Sequence, residues 1–175
     1  MFRDTFSAVT SMAPGEFAPF LGLVSNFGIV LWCAAWAITG FAALVLLRKG
    51  AMSFGLFLLA QSAITGILLA DDLLLMHEKV YPRFGLHETI IYPIYMCLVG
   101  LWVLAFRSVI SFVGAGLLIV AGVAFALSIA GDLIDHVPHD LGLIQRWMED
   151  ATKLFGIAFW TAFALRASWV LLEIE

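Results

Sequence analysis

The chain is poor in charged side chains. Only 13% of its 175 residues are Asp, Glu, Lys or Arg, whereas 63% are hydrophobic. Soluble domains average about 25% charged and about 45–50% apolar residues. A soluble core of this size cannot bury so much apolar surface. A soluble globular class is therefore excluded, and lipid is the expected solvent for much of the chain.

Several sequence features that carry chemistry are also missing. No basic run is present and the net charge is −4, which argues against nucleic acid as a partner. The two cysteines, Cys33 and Cys97, form no CxxC pair, and we interpret them as buried hydrophobic residues. The motifs HExxH, ExxH and GxSxG are absent as well. The sequence therefore supports no standard zincin, di-iron bundle or serine hydrolase.

What the chain does contain is a series of long, continuous apolar runs. Inside lipid the backbone must form its own hydrogen bonds, and continuous runs of about 20 residues favour helices. We predict an all-α integral membrane bundle of five transmembrane helices, forming a single domain over residues 1–175. The predicted spans are 20–47, 52–74, 88–106, 109–134 and 151–172. Residues 1–16 do not resemble a signal peptide, and form either an interfacial segment or a disordered one.

Five spans put the chain termini on opposite sides of the membrane, and the charges divide unevenly between these sides. All four histidines and eleven of the thirteen acids fall on the N-terminal side, which we call the acidic face. Its acids are Asp4, Glu16, Asp71, Asp72, Glu78, Glu88, Asp132, Asp135, Asp140, Glu149 and Asp150. Basic residues are denser in the short loops of the other side. We therefore predict an extracytoplasmic acidic face and N-terminus, and a cytoplasmic C-terminus.

Helical spacing brings some of these acidic-face groups together. Asp132, Asp135 and His136 share one helix face at i, i+3 and i+4. Carboxylate and imidazole suit zinc, iron or manganese, and carboxylates alone suit calcium. We predict a divalent-cation site with these ligands: Asp72, His77, Glu78, Asp132, Asp135, His136 and Asp150. Two other interpretations stay open, a structural network with Lys153 and Arg146 as counter-ions, and simple solvation of polar loops.

The position of an acid relative to the membrane indicates whether its charge needs a partner. Asp71, Asp72 and Asp132 lie at or just inside the apolar boundary, where an unpaired charge costs a few kcal/mol. These three acids are therefore expected to have partners. A haem held by His77 and His136 is disfavoured, because the surrounding carboxylates leave it no clear apolar pocket.

Two patterns inside the spans suggest packing contacts. Small residues recur at multiples of four on the fourth predicted span, at Gly114, Gly122, Ala126 and Ala130. We interpret this row as an intrachain packing seam, with a homodimer seam as the alternative. The spans also contain polar residues, which we interpret as interhelical hydrogen-bonding groups or, alternatively, the lining of a substrate path. They are Asn26, Gln61, Ser62, Thr65 and Ser128.

The chain resembles a family of small, largely uncharacterised bacterial multi-pass membrane proteins. The resemblance rests on "DDLLLMHE", on the span that ends "LSIAGDLIDH", and on "EDATKLFGIAFW", about a third of the chain. It implies a five-span bundle in a bacterial inner membrane and supplies no established activity. Metal-dependent membrane hydrolases typified by alkaline ceramidases also gather His and Asp around zinc. This chain differs from them because it lacks their seven spans and their Ser and His motifs.

Three classes of function follow from the acidic face. A metal-dependent hydrolase would polarise a lipid ester or amide and activate water, with Glu78 or Asp132 as the candidate catalytic base. A cation or proton transport protein would gather cations for a path lined by Gln61 and Thr65. An accessory subunit of a larger membrane complex would use the acids for docking or structure. Membrane lipid is an expected partner in each case, and a homo-oligomer is compatible with all three.

Overall fold

The computed structural model describes residues 23–76, 80–85, 88–133 and 142–175, and within these ranges it contains helices and no β-strand. The α-helices are α1 (Leu23–Arg48), α2 (Met52–Leu74), α3 (Glu88–Ala105), α4 (Arg107–Val113), α5 (Gly116–Leu133) and α6 (Gly142–Glu173). A short 3₁₀ helix, Tyr81–Phe84, lies between α2 and α3. The prediction of an all-α chain is confirmed for these residues.

Three of the described helical segments are long and apolar enough to cross a membrane: Ser25–Arg48, Met52–Leu74 and Ala151–Glu173. A fourth is added if α3 and α4 form one span, although the two helices meet at an angle of 78°. The apolar part of α5, Gly116–Gly131, is shorter. The described residues thus provide three or four candidate spans, against five predicted, and indicate a helical membrane protein.

The predicted fourth span, 109–134, is divided in two by Gly114. Its backbone has φ +105°, a conformation that residues with a Cβ rarely adopt, and α4 ends there. The break leaves the Val113 carbonyl outside the regular helical pattern, and the Arg166 Nε of α6 donates a hydrogen bond to it at 2.8 Å. The apolar run of the sequence is continuous across this point, so hydropathy alone did not reveal the break.

The main helix contacts form the series α2–α1–α6–α5. Helix α1 contacts α2 along one side and α6 along another, and α6 also packs against α5, whereas α3 and α4 contact the other helices at few positions. A tight turn at Gly50, with φ +85°, makes α1 and α2 an antiparallel hairpin. The centre of the bundle is aromatic: Phe57, Trp102, Trp160 and Phe163 are almost completely buried.

Two packing predictions are corrected by this arrangement. Both Cys33 and Cys97 are exposed at the bundle surface, so the prediction that they are buried is wrong. A thiol is small and apolar enough to be tolerated at a lipid-facing position. The small residues Gly122, Ala126 and Ala130 are exposed as well. The interpretation of this row as an intrachain seam is therefore wrong for these three positions, because α5 packs on α6 through a different face.

Candidate functional site

The acidic-face end of the bundle contains an ion pair between two helices. The Lys153 Nζ of α6 lies 2.6 Å from the Asp72 Oδ1 of α2. The other carboxylate oxygen of Asp72, Oδ2, accepts a hydrogen bond from the Trp32 Nε1 of α1 at 2.8 Å. The side chains of Lys153 and Asp72 are 27% and 16% exposed. We call these three residues the Asp72 cluster, and it joins α1, α2 and α6.

Trp32 extends the Asp72 cluster into the packed interior. Its side chain is buried, with its indole stacked on Phe125 of α5 at a centroid distance of 6.0 Å and an interplanar angle of 5°. It also meets Trp160 of α6 edge-on, at 6.2 Å and 64°. A buried indole N–H normally requires an acceptor, and here the acceptor is the carboxylate. The position of Asp72 is therefore coupled to the packing of α1, α5 and α6.

The neighbouring acid, Asp71, faces a different part of the structure. Successive residues on a helix differ by about 100° in direction, so Asp71 and Asp72 point to different neighbours. Asp71 is buried, and the Tyr95 side chain of α3 lies near its carboxylate, although the Tyr95 hydroxyl has no hydrogen-bond partner within the described residues. The prediction that Asp71 and Asp72 have partners is confirmed for both.

The chain leaves α2 immediately after these two acids. Leu75 adopts a left-handed conformation, with φ 53°, and its backbone N–H donates to the Asp71 carbonyl. This arrangement is a common way of ending a helix, although the residue is usually glycine. It fixes both carboxylates within the last turn of α2, at the boundary where the hydrophobicity of the sequence ends.

The structure describes less about the other predicted ligands. His77, Glu78, Asp135 and His136 lie outside the described residues. Asp132 is placed in the last turn of α5 and Asp150 in the N-terminal part of α6. Within the described part of the chain, no group of three or more His, Cys, Asp or Glu side chains could hold a metal ion. Of the seven predicted ligands, the structure describes the surroundings of Asp72 alone, and these are Lys153 and Trp32.

The charge of the Asp72 carboxylate is compensated by the ion pair with Lys153. Both of its oxygens accept hydrogen bonds, one of them from a cation, and such charge-assisted bonds are stronger than neutral ones. For Asp72 and Lys153, this geometry matches the structural network that the sequence left open, with Lys153 as the counter-ion. The hydrogen bond from the Trp32 indole to Asp72 was not predicted from the sequence.

A second layer of hydrogen bonds lies deeper in the bundle. The Trp160 Nε1 of α6 donates to the Thr65 Oγ1 of α2 at 3.0 Å, and that hydroxyl donates to the Gln61 carbonyl at 2.8 Å. The Ser62 hydroxyl donates across to the Trp36 carbonyl of α1 at 3.1 Å. The interpretation of Thr65 and Ser62 as interhelical hydrogen-bonding groups therefore holds in the structure.

Comparison with known proteins places the chain in a family. A family model described as "Domain of unknown function (DUF8692)" matches residues 1–167. The chain belongs to this family. No curated protein and no solved structure matches it. Membership in the DUF8692 family agrees with the expected uncharacterised family and assigns no activity.

Proposed function

We propose that this protein is a multi-pass membrane protein whose acidic face binds a divalent cation. The observation that carries the proposal is the Asp72 cluster, in which Lys153 joins the acidic-face ends of α2 and α6. Because α6 also packs against α5, the end of α5 that carries Asp132 belongs to the same face. Residues that are far apart in sequence are thus held on neighbouring helices at one boundary of the membrane.

Within this proposal the residues have two different roles. Asp72 is a positioning residue, since Lys153 and Trp32 already occupy its carboxylate oxygens. The cation is held by the remaining predicted ligands: His77, Glu78, Asp132, Asp135, His136 and Asp150. Mixed carboxylate and imidazole donors suit zinc, iron or manganese. Bound there, the metal would polarise an ester or amide of a membrane lipid, with Glu78 or Asp132 as the base.

The membrane arrangement belongs to the same proposal. We propose five spans in a bacterial inner membrane. The shorter helix α5 is counted as a span in addition to the candidates described above. The acidic face is extracytoplasmic and the C-terminus cytoplasmic. Support for this orientation comes from the basic residues in the short loops at the opposite face, such as Arg48, Lys49 and Arg107.

Metal content of the purified full-length protein tests the cation site. We expect near-stoichiometric zinc, iron, manganese or calcium by elemental mass spectrometry, loss of that metal in Asp132→Asn, and a lower Tm after treatment with a chelator. Glu173→Gln is the matched control, because this exposed acid lies at the opposite end of α6 and its loss should leave the metal content unchanged.

Two results would contradict the cation site. One is a metal-free protein whose Tm does not respond to the chelator. The other is an Asp132→Asn variant that keeps its metal. Either result would favour the accessory-subunit class, in which the acidic face serves structure and docking. The Asp72 cluster, whose carboxylate is already paired, fits that class without a metal.

A further inference from the structure

The deepest polar side chain of α2 is buried without the partners that it requires. Gln61 has no exposed surface, and neither its Nε2 nor its Oε1 has a hydrogen-bond partner within the described structure. An amide transferred from water to an apolar environment without hydrogen bonds costs several kcal/mol. Buried polar groups are therefore nearly always paired, with protein or with ordered water.

Gln61 lies on the same helix face as the Asp72 cluster. The positions Gln61, Thr65 and Asp72 are separated by four and seven residues, the spacing of one face of an α-helix. At 1.5 Å per residue, the eleven residues from Asp72 to Gln61 correspond to about 16 Å. The hydrocarbon core of a bilayer is about 30 Å thick. Gln61 is thus placed near the middle of the membrane, at the inner end of a polar row that begins at the acidic face.

The facing helix has its smallest side chain at the level of Gln61. Seven residues separate Asp72 from Thr65 on α2, and seven separate Lys153 from Trp160 on α6, so the two bonded pairs share one antiparallel register. The same register sets Ala164 opposite Gln61. The long side chains of Lys153 and Trp160 reach from α6 to Asp72 and Thr65 of α2. The methyl group of Ala164 is too short to reach Gln61 in the same way.

Aromatic rings enclose this level of the bundle. Trp102 of α3 stacks on Phe57 of α2 at 5.3 Å and lies 5.8 Å from Trp160 and 6.3 Å from Phe163, both of α6. The Trp102 Nε1 is already committed to the Phe57 carbonyl, at 3.3 Å. Both indole N–H groups of Trp102 and Trp160 are therefore occupied, and neither is available to the Gln61 amide.

We propose that the bundle binds water at Gln61, in an internal polar site near the membrane midplane. One water molecule can donate to Gln61 Oε1 and accept from Nε2, and the Thr65 hydroxyl keeps a free lone pair as a further acceptor. A buried water normally makes about three hydrogen bonds, which this set supplies. Ser168, whose buried hydroxyl also has no partner in the described structure, lies one turn beyond Ala164 on α6. The site continues the polar row inward from the acidic face, and it does not depend on a metal being bound there.

Water-edited solid-state NMR on the full-length protein in lipid bilayers tests this site. The chain has two glutamines, Gln61 and Gln145, so ¹⁵N-glutamine labelling with Gln145→Met leaves one pair of side-chain amide protons to follow. We expect rapid transfer of magnetisation from water to the Gln61 amide. In a second sample labelled with ¹⁵N-tryptophan, the indole N–H of Trp36, a half-exposed residue on the bundle surface, serves as the lipid-facing reference and should receive little magnetisation from water.

A variant supplies the second readout. In Gln61→Met, which keeps the length of the side chain but not its hydrogen bonds, transfer from water to the Trp160 indole should fall severalfold, whereas Gln145→Met should leave it unchanged. A Gln61 amide that receives no more magnetisation from water than Trp36 would overturn the proposal. So would transfer to Trp160 that is equal in Gln61→Met and the parent. The first measurement needs no Gln61 variant, so it decides the question even if Gln61→Met does not fold.

Discussion

Lys153→Met is expected to lower the free energy of unfolding by about 2–3 kcal/mol, less than the loss of one partner from a fully buried ion pair, because both side chains are partly exposed. The substitution keeps most of the apolar stem and removes the charge that lies 2.6 Å from Asp72 Oδ1. The carboxylate, which is 16% exposed, then keeps the Trp32 indole as its described donor. The Asp72 carboxylate then lacks its cation at the acidic-face end of α2, where an unpaired charge is costly.

Removing the charge of the other partner, Asp72, should lower the free energy of unfolding by less. In Asp72→Asn the side chain can still accept from Trp32, and Lys153 has four methylene groups with which to extend its ammonium towards water. We expect a loss of about 1.5–2 kcal/mol, the lower part of the range for a hydrogen bond to a charged group. The double variant should be more stable than Lys153→Met alone, because it leaves no unpaired charge.

Equilibrium unfolding of the full-length protein in mixed detergent micelles measures these differences. Lys49→Met is the matched control, since Lys49 is exposed in the turn between α1 and α2 and should change stability by less than about 0.5 kcal/mol. Equal effects of Lys153→Met and Lys49→Met would mean that the pair contributes nothing. Strictly additive effects in the double variant would mean that Asp72 and Lys153 do not interact.

Hydrophobicity explains why much of the fold could be predicted from the sequence. Each end of α2 coincides with an end of the predicted run 52–74, because the lipid-facing segment stops where the polar residues begin. The need of Asp72 for a partner follows from the same physics, since a charge at the apolar boundary is costly. The identity of that partner does not follow, because Lys153 lies 81 residues away and its pairing depends on how α6 is set against α2.

The features that sequence reasoning missed depend on geometry in three dimensions. Trp32 is one tryptophan among six in an apolar run, and nothing local distinguishes it from a lipid-facing residue. The general rule that a buried indole N–H needs an acceptor could have suggested a search for one. The break at Gly114 is similar, since the sequence marks it only with Gly114 and Gly116, and the Arg166 that donates to Val113 follows 53 residues later. Neither feature changes the hydropathy of its span.

Gly156→Leu should destabilise the protein by about 3 kcal/mol, at the upper end of the usual range for overpacking. A Cβ at Gly156 would lie 2.9 Å from two ring carbons of Phe125, closer than real contacts allow. Phe125 cannot move freely, because its ring is stacked on the Trp32 indole, which in turn donates to Asp72. We therefore also expect a shifted ¹⁵N–¹H NMR signal for the Trp32 indole, reporting a disturbed Asp72 cluster.

Gly122→Leu makes the same chemical change on α5, the helix that carries Phe125. A Cβ there meets nothing within 4 Å, so helix propensity should dominate and stabilise the variant by up to about 1 kcal/mol. An unshifted Trp32 signal in Gly156→Leu would contradict the proposed coupling between α5 and the Asp72 cluster.

Light scattering on Gly122→Leu answers a separate question. If the exposed small residues of α5 form a homodimer seam, this variant should dissociate the dimer, because bulky side chains prevent the close helix approach that such seams require.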